Sequence, residues 1–144
     1  MKSLLFFVCT AAVLLSSCKP GKPNHVGEWK GVDSKGMQTS LILNEDNSAI
    51  LISGNTVFGG LNYKVEDKQV NVRYEFDYER DPIWLDLVFY GGEEDKELGR
   101  WYGIVRFLTE NKIEYRLSEL GEPRKYEFDP NDKENTLVLD KVVQ

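Results

Sequence analysis

The alternation of apolar and polar residues between positions 70 and 79 constrains the fold of this chain more than any other feature. In "VNVRYEFDYE" the even positions are apolar or aromatic and the odd positions are polar or charged. Successive side chains of a β-strand point to opposite faces, so this segment is predicted to be a strand. One of its faces is expected to line a core and the other to contact water.

The same period of two recurs along most of the chain from Val26 onward, and polar turn clusters interrupt it about every eight to twelve residues. This spacing predicts short antiparallel strands joined by tight turns, without helices. Strands are predicted near residues 26–32, 37–43, 48–53, 57–66, 70–80, 83–90, 100–108, 111–118, 124–129 and 136–142. The predicted fold class is all-β, an up-and-down meander closed as a barrel, because closure removes exposed strand edges. A β-sandwich is the alternative.

The N-terminal residues have the pattern of an export signal. Lys2 precedes a run of apolar residues that ends at Ser16 and Ser17, and the run is too short to span a membrane. Residues 1–17 are therefore predicted to be a signal peptide. The last four residues of "VLLSSC" resemble the lipobox of bacterial lipoproteins, which implies cleavage before Cys18 and its acylation with chains such as palmitate. Several acyl chains anchor a protein stably, whereas a single chain is marginal.

This interpretation leaves the mature chain without a free thiol. Cys9 leaves with the signal and Cys18 is capped by lipid, so neither a disulfide nor a cysteine site is available. Residues 18–25 are predicted to be a lipidated tether, and residues 26–144 a single domain with enough chain for a core. A plain secretory signal with an accidental cysteine is the alternative.

The residue after the cysteine and the net charge bear on location and partners. Many enterobacterial lipoproteins that stay at the inner membrane have an aspartate directly after the lipidated cysteine, whereas this chain has Lys19 there. The resemblance therefore implies an outer-membrane anchor, with the domain facing the periplasm. Display of the domain on the cell surface is the alternative. Lys2 is the only charged residue of the signal, so the mature chain carries 17 Lys and Arg against 24 Asp and Glu, a net charge of −7. Such a surface repels nucleic acid and anionic headgroups, so the acyl chains are expected to supply the membrane attachment.

A series of weak motifs points to a family. The domain opens with "VGEWKGVDSKG", in which Gly27 and Trp29 form a G-x-W, and continues through "GGLNYKVEDKQV", "DPIWLDLVF", "GRWYGIVRFLTENKIEYRL" and "EPRKYEF". Together these segments resemble small secreted bacterial lipocalin-like domains of uncharacterised function, over nearly all of residues 26–143. The resemblance implies that Trp29 closes one end of the barrel under a late arginine, through a cation–π contact. Arg124 is the candidate for that arginine, followed by Arg116.

A barrel of this kind places a ligand in its interior. The predicted pocket is mostly apolar with a few phenolic groups, and its residues are Tyr74, Phe76, Tyr78, Trp101 and Phe107. The acidic, glycine-framed loop "GGEEDKELG", residues 91–99, is expected to form a mobile flap over the mouth and to disfavour anions. Alternatively, the same side chains fill the interior completely, and the protein is an envelope interaction protein, an inhibitor or an assembly accessory.

Two segments, "IWLDLVFY" and "WYGIVRFL", are apolar on both faces. An outward face of this kind is expected to be covered, either by another part of the chain or by a protein partner.

Residues for catalysis or metal binding are scarce. The single histidine, His25, lies in the predicted tether and is expected to be solvated, so a Ser-His-Asp triad or a His-rich metal site has nothing to be built from. Carboxylates of "DYERDP" and of the acidic loop offer a weaker glycosidase hypothesis. The segment "DPNDKEN", residues 129–135, lacks the central Gly and final Glu of a calcium loop, so a hairpin turn is predicted there. The chain is therefore predicted to be non-enzymatic, without cofactor or metal.

Overall fold

The computed structural model of the protein describes residues 21–143. The predicted signal peptide and Cys18 lie outside the described residues, so their predictions stay predictions. Within the described range the chain forms strands and no helix, and therefore no helix that could cross a bilayer. The strands are β1 (Gly27–Val32), β2 (Gln38–Leu43), β3 (Ala49–Ser53), β4 (Thr56–Gly59), β5 (Lys64–Val65), β6 (Lys68–Asp77), β7 (Ile83–Gly91), β8 (Lys96–Trp101), β9 (Gly103–Thr109), β10 (Lys112–Leu117) and β11 (Thr136–Lys141).

The strands follow one another as an antiparallel meander in one sheet, in the order β4-β3-β2-β1-β11-β10-β9-β7-β6-β5, with β8 also paired to β7. β8 and β9 are two parts of one strand interrupted at Tyr102, because both pair with β7 in the same register, Leu87 with Trp101 and Trp84 with Ile104. The first and last strands of the domain pair with each other. The prediction of an all-β meander is confirmed, and the sandwich alternative is wrong.

The sheet curls strongly into a half-barrel, a shape compatible with a lipocalin-like barrel. The turn between β2 and β3 meets β6 at an isolated bridge between Ser48 and Arg73. Beside the bridge, the backbone N–H of Tyr74 donates to the carbonyl of Asn47 at 2.9 Å. The curl of the sheet therefore brings this turn against β6.

Inward-facing side chains fill that interior. The buried core consists of Trp29, Leu41, Leu43, Ala49, Leu51, Val72, Tyr74, Leu85, Leu87, Val105, Ile113, Tyr115, Leu117, Leu137 and Leu139. Seven partly buried residues pack against it: Phe58, Tyr63, Phe76, Ile83, Phe89, Trp101 and Phe107. Residues 26–143 have their own core and their terminal strands pair, so they are expected to fold as an independent unit.

The strand predictions failed where glycine or a long connection intervenes. The predicted strand 57–66 is divided into β4 and β5, because Gly59 and Gly60 adopt φ of +97° and +93° and turn the chain. The predicted strand 124–129 is wrong. Those residues belong to the connection between β10 and β11, residues 118–135, and contain no strand. The acidic loop 91–99 begins in β7 and ends in β8, so it forms the tip of a paired hairpin.

Candidate functional site

Trp29 lies at one end of the half-barrel, here called the closed end, together with the turn between β2 and β3 and the N-terminal segment 22–26. Its side chain has no exposed surface, and its indole Nε1 donates to the carbonyl oxygen of His25 at 2.9 Å. Phe107 packs edge-on against the indole at 6.2 Å between ring centroids. The ammonium group of Lys141 lies 5.2 Å from the indole centroid, so the cation over Trp29 is a lysine of the last strand.

The prediction that Arg124 or Arg116 covers Trp29 is wrong. The guanidinium of Arg124 lies 3.9 Å from the ring centroid of Trp84, on the outer face of the sheet. Arg116 also points outward, where it binds Asp132 at 2.6 Å. Arg124 is outside because the connection 118–135 crosses the exterior of the sheet instead of adding a strand to it. Arg116 is outside because it alternates with the core residues Tyr115 and Leu117 of β10.

Packing explains why a glycine occupies position 27. Its φ is +134°, a backbone conformation that side-chain-bearing residues rarely adopt, and an added Cβ would lie 3.0 Å from the Cε atom of Lys141. Gly27 therefore leaves room for the lysine that reaches over Trp29.

The outer face of β7 carries a buried ion-pair cluster that sequence reasoning missed. Asp86 accepts hydrogen bonds from both terminal nitrogens of Arg124 at 2.6 and 2.7 Å, from Arg100 at 3.1 Å and from the N–H of Gly103 at 3.2 Å. Arg100 also binds the carboxylate of Glu75 at 2.6 Å. The connection and these arginines cover the apolar outer face of the two-faced strands, so the chain itself supplies the expected cover. The only sequence signal for the cluster was the lone charge within "WLDLV".

The positive and negative charges of this cluster compensate one another. The pKa of Arg100 is raised above its ordinary value, chiefly by hydrogen bonding to Glu97 and also by its bonds to Glu75 and Asp86. Glu75 and Asp86 share the guanidinium of Arg100, and Asp86 is further neutralised by Arg124. The arrangement is that of a structural ion-pair network, in which each carboxylate is held by arginine.

His25 is partly buried against aromatic rings, so the prediction of a simply solvated side chain is wrong. Its ring packs on Phe76 at 4.3 Å and on Tyr74 at 5.4 Å between centroids, and its Nδ1 lies 2.7 Å from the hydroxyl oxygen of Tyr78. Burial, followed by the positive charge of Lys141, lowers the pKa of His25. Burial also raises the pKa of Tyr78 to about 12. The N-terminal segment thus docks onto the barrel through its histidine.

The five predicted ligand residues do not share one pocket. Tyr74, Phe76, Tyr78 and Phe107 lie at the closed end, where protein groups already contact them. The Tyr74 hydroxyl, for example, donates to the carbonyl of Asn44 at 2.7 Å, so no ligand is needed to pair it. Trp101 alone lies at the opposite end, where its indole Nε1 donates to the carbonyl of Ser118 at 2.6 Å.

That opposite end, here called the open end, holds an apolar pocket of about 380 Å³. Its walls come from β4 to β8, including the hairpin tip, and from the start of the connection 118–135. The lining residues are Phe58, Tyr63, Val65, Val70, Phe89, Leu98, Gly99, Arg100, Leu120 and Gly121. Two of them, Leu98 and Leu120, are 60% and 66% exposed and form an apolar rim. Sequence alternation placed Val70 and Phe89 on inward faces, but nothing in it indicated this end of the barrel.

The acidic hairpin borders this pocket, and much of its charge is paired. Asp95 binds Arg73, Glu97 binds Arg100 at 3.1 Å, and Glu94 binds Lys96 at 2.5 Å. The hairpin therefore presents Leu98 and Gly99 to the pocket and turns paired carboxylates toward solvent.

A second pocket of about 290 Å³ adjoins the first at the open end. Phe58 lines both pockets, and Trp101 lines the second. The other lining residues of the second pocket are Asp33, Met37, Thr39, Leu51, Ser53, Thr56, Leu117, Glu134, Asn135 and Leu137.

Across residues 21–143, no group of three or more His, Cys, Asp or Glu side chains is placed to hold a metal ion. Comparisons of this chain with protein-family models, with curated proteins and with solved structures found no match.

Proposed function

We propose that this protein is a lipid-anchored lipoprotein of the bacterial envelope, with a lipocalin-like barrel that binds a small, mostly apolar molecule without catalysing its conversion. The single observation that carries the binding proposal is the apolar pocket of about 380 Å³ at the open end. Pockets for small molecules span about 300 to 1,000 Å³ and are lined mainly by hydrophobic and aromatic side chains. The open-end pocket meets both criteria.

The lining favours an uncharged ligand. Phe58, Tyr63 and Phe89 present rings to the pocket. The guanidinium of Arg100 is bound to Glu97, Glu75 and Asp86, so it has little capacity left for a ligand carboxylate. Burying about 200 Å² of apolar ligand surface corresponds to roughly 5 kcal/mol before the costs of association. We therefore expect affinities in the millimolar range for simple apolar molecules, no tighter than about 0.2 mM.

Dye uptake by the soluble chain of residues 19–144, which lacks Cys18, tests the pocket. Gly99 lines it, and an added Cβ there meets no atom within 4 Å, so Gly99→Phe is expected to fill the space without distorting the backbone. Wild type should increase the fluorescence of a neutral, environment-sensitive dye such as N-phenyl-1-naphthylamine, and Gly99→Phe should abolish the increase. Val138→Phe, on an exposed outward position of β11, is the matched control and should bind like wild type. Absence of dye uptake by wild type, or equal uptake by Gly99→Phe, would contradict the proposal.

The anchor proposal combines the lipobox resemblance with the docked N-terminal segment. Lys141 Nζ donates to the carbonyl of Asn24 at 2.7 Å, and the ammonium group of Lys22 lies 5.3 Å from the ring centroid of Tyr78. Four residue steps separate Cys18 from Lys22, and they can span at most about 14 Å. A lipid on Cys18 would therefore hold the closed end near the bilayer, with the pocket opening away from it, in the periplasm under the proposed outer-membrane sorting.

Fractionation tests the anchor. Cys18→Ser should move the protein from the membrane to the soluble fraction, whereas Cys9→Ser, in the predicted signal peptide, should leave it membrane-bound. Retention of Cys18→Ser in the membrane at the wild-type level would refute lipidation at this residue.

The second candidate function is docking of an envelope protein, and the exposed rim favours it. Leu98 and Leu120 leave large apolar surfaces in water at the open end, 60% and 66% exposed. Replacing the two rim leucines by Asn should weaken a protein complex strongly. The same change should alter dye uptake only modestly, because the rings deeper in the pocket remain.

A further inference from the structure

One aromatic side chain, Phe58, lines both pockets at the open end, the first of about 380 Å³ and the second of about 290 Å³. Its ring meets that of Trp101, which lines the second pocket, edge to face, with centroids 5.4 Å apart and planes at 70°. Phe58 therefore stands where the two pockets adjoin.

The two rings are held very differently. Trp101 is pinned by the 2.6 Å hydrogen bond from its Nε1 to the carbonyl of Ser118. Phe58 has no polar atom, and it lies on β4, which is only four residues long and forms the margin of the sheet. Its cross-strand neighbour is Leu51 of β3, and its ring also lies 6.4 Å from that of Tyr63 between centroids. Phe58 is held by packing alone, so its ring is the less restrained of the two.

We propose that Phe58 is a gate between two chambers of one binding site, and that the site takes a single unbranched, uncharged hydrocarbon chain such as the tail of a long-chain alcohol. This inference rests on the proposed binding function and deepens it. With Phe58 in place a chain fills the first chamber only. When the ring turns away from Trp101, the chain extends past it into the second chamber.

The composition of the second chamber disfavours an anionic end group. Asp33 and Glu134 line it, together with apolar groups such as Met37, Leu51 and Leu137. The Asp33 carboxylate accepts the backbone N–H of Met37 at 2.8 Å, which lowers its pKa and keeps it ionised at neutral pH. A carboxylate that reached this chamber would meet two negative charges. The end of the ligand that enters the second chamber is therefore uncharged.

Binding of primary alkanols from butanol to decanol to residues 19–144 tests the gate by calorimetry. Each buried methylene strengthens binding about fourfold. In wild type we expect this gain to level off once the first chamber is full. In Phe58→Ala the increase in affinity per methylene should continue over several further methylenes. In the NMR spectrum of this variant, the indole N–H resonance of Trp101 should shift with the longer alkanols, whereas those of Trp29 and Trp84 stay in place.

Phe107→Ala is the matched control, since it removes the same ring at the closed end, and its chain-length profile should equal that of wild type. Phe58→Leu is the milder variant if Phe58→Ala does not fold, with a smaller extension of the profile expected. Binding with identical profiles in wild type and both Phe58 variants would overturn the gate and leave the binding function standing. No binding of any alkanol by wild type or by either variant would overturn both.

Discussion

Removal of the Asp86 carboxylate should destabilise the domain far more than removal of any exposed carboxylate. In Asp86→Ala the guanidinium of Arg124, whose side chain is only 7% exposed, loses both of its carboxylate bonds. Arg100 and the N–H of Gly103 lose an acceptor at the same time. Breaking a buried ion pair from one side costs about 3 to 5 kcal/mol, because the remaining charge stays buried without its partner.

The matched comparison is Glu75→Ala, which removes a carboxylate bound to the same Arg100 at 2.6 Å. The Glu75 side chain is 48% exposed, so water replaces the lost contact and we expect a cost of only about 0 to 1 kcal/mol. Folded domains have a total stability of about 5 to 15 kcal/mol, so Asp86→Ala should consume a large share of it.

Urea unfolding of residues 19–144, followed by far-UV circular dichroism, measures both costs, with the slope m checked for constancy. Replacing the pair together, as Asp86→Leu with Arg124→Met, should cost less than the sum of the single changes, since no buried charge is then left alone. A cost for Asp86→Ala no greater than that for Glu75→Ala would show that the cluster is not effectively buried and would refute this reasoning.

Two further predictions concern the closed end. Trp29→Ala should lower the free energy of unfolding by roughly 3 to 5 kcal/mol, because the indole is fully buried. Urea unfolding measures this loss, and Val138→Ala on the exposed face is the control, for which a large effect is not expected. The folded state holds the pKa of His25 below its ordinary value of 6.5, so as the pH falls the unfolded chain binds this proton first. The free energy of unfolding should therefore decrease as the pH falls from about 6.5 to the lowered pKa of His25. His25→Gln should remove that decrease. If the pH profile of His25→Gln equals that of wild type, the docked position of the histidine is contradicted.

The sequence by itself determined most of the strands and, where the alternation is clean, which face of a strand is inside. Val70, Val72 and Tyr74 are buried as their alternation indicated, since the two-residue period is a local property of the extended backbone. The order of the strands followed from the short turns, which leave sequential antiparallel neighbours as the simplest pairing.

Alternation does not indicate how far along the barrel axis a residue lies. Trp101 and Phe107 share the inner face of one interrupted strand, but six residues at about 3.3 Å each place them roughly 20 Å apart, at opposite ends. Only the pairing register and the tilt of the strands decide which residues of different strands meet at one end. For this reason the predicted pocket combined residues of both ends, and the pocket that exists is lined by residues such as Phe58, Tyr63 and Leu98.

Only the tertiary structure decided where the segments without apolar–polar alternation lie. The connection 118–135 has no alternation to show which face it covers, and it lies outside the sheet because Arg124 finds its partner in the outward-facing Asp86. The segment "KPGKPNH" has the composition of a solvated tether, yet His25 packs among three aromatic rings of β6 and the residues that follow it. Local sequence encodes the conformation of a strand, whereas the place of an irregular segment depends on contacts between residues far apart in the chain, which form only once the sheet has curled.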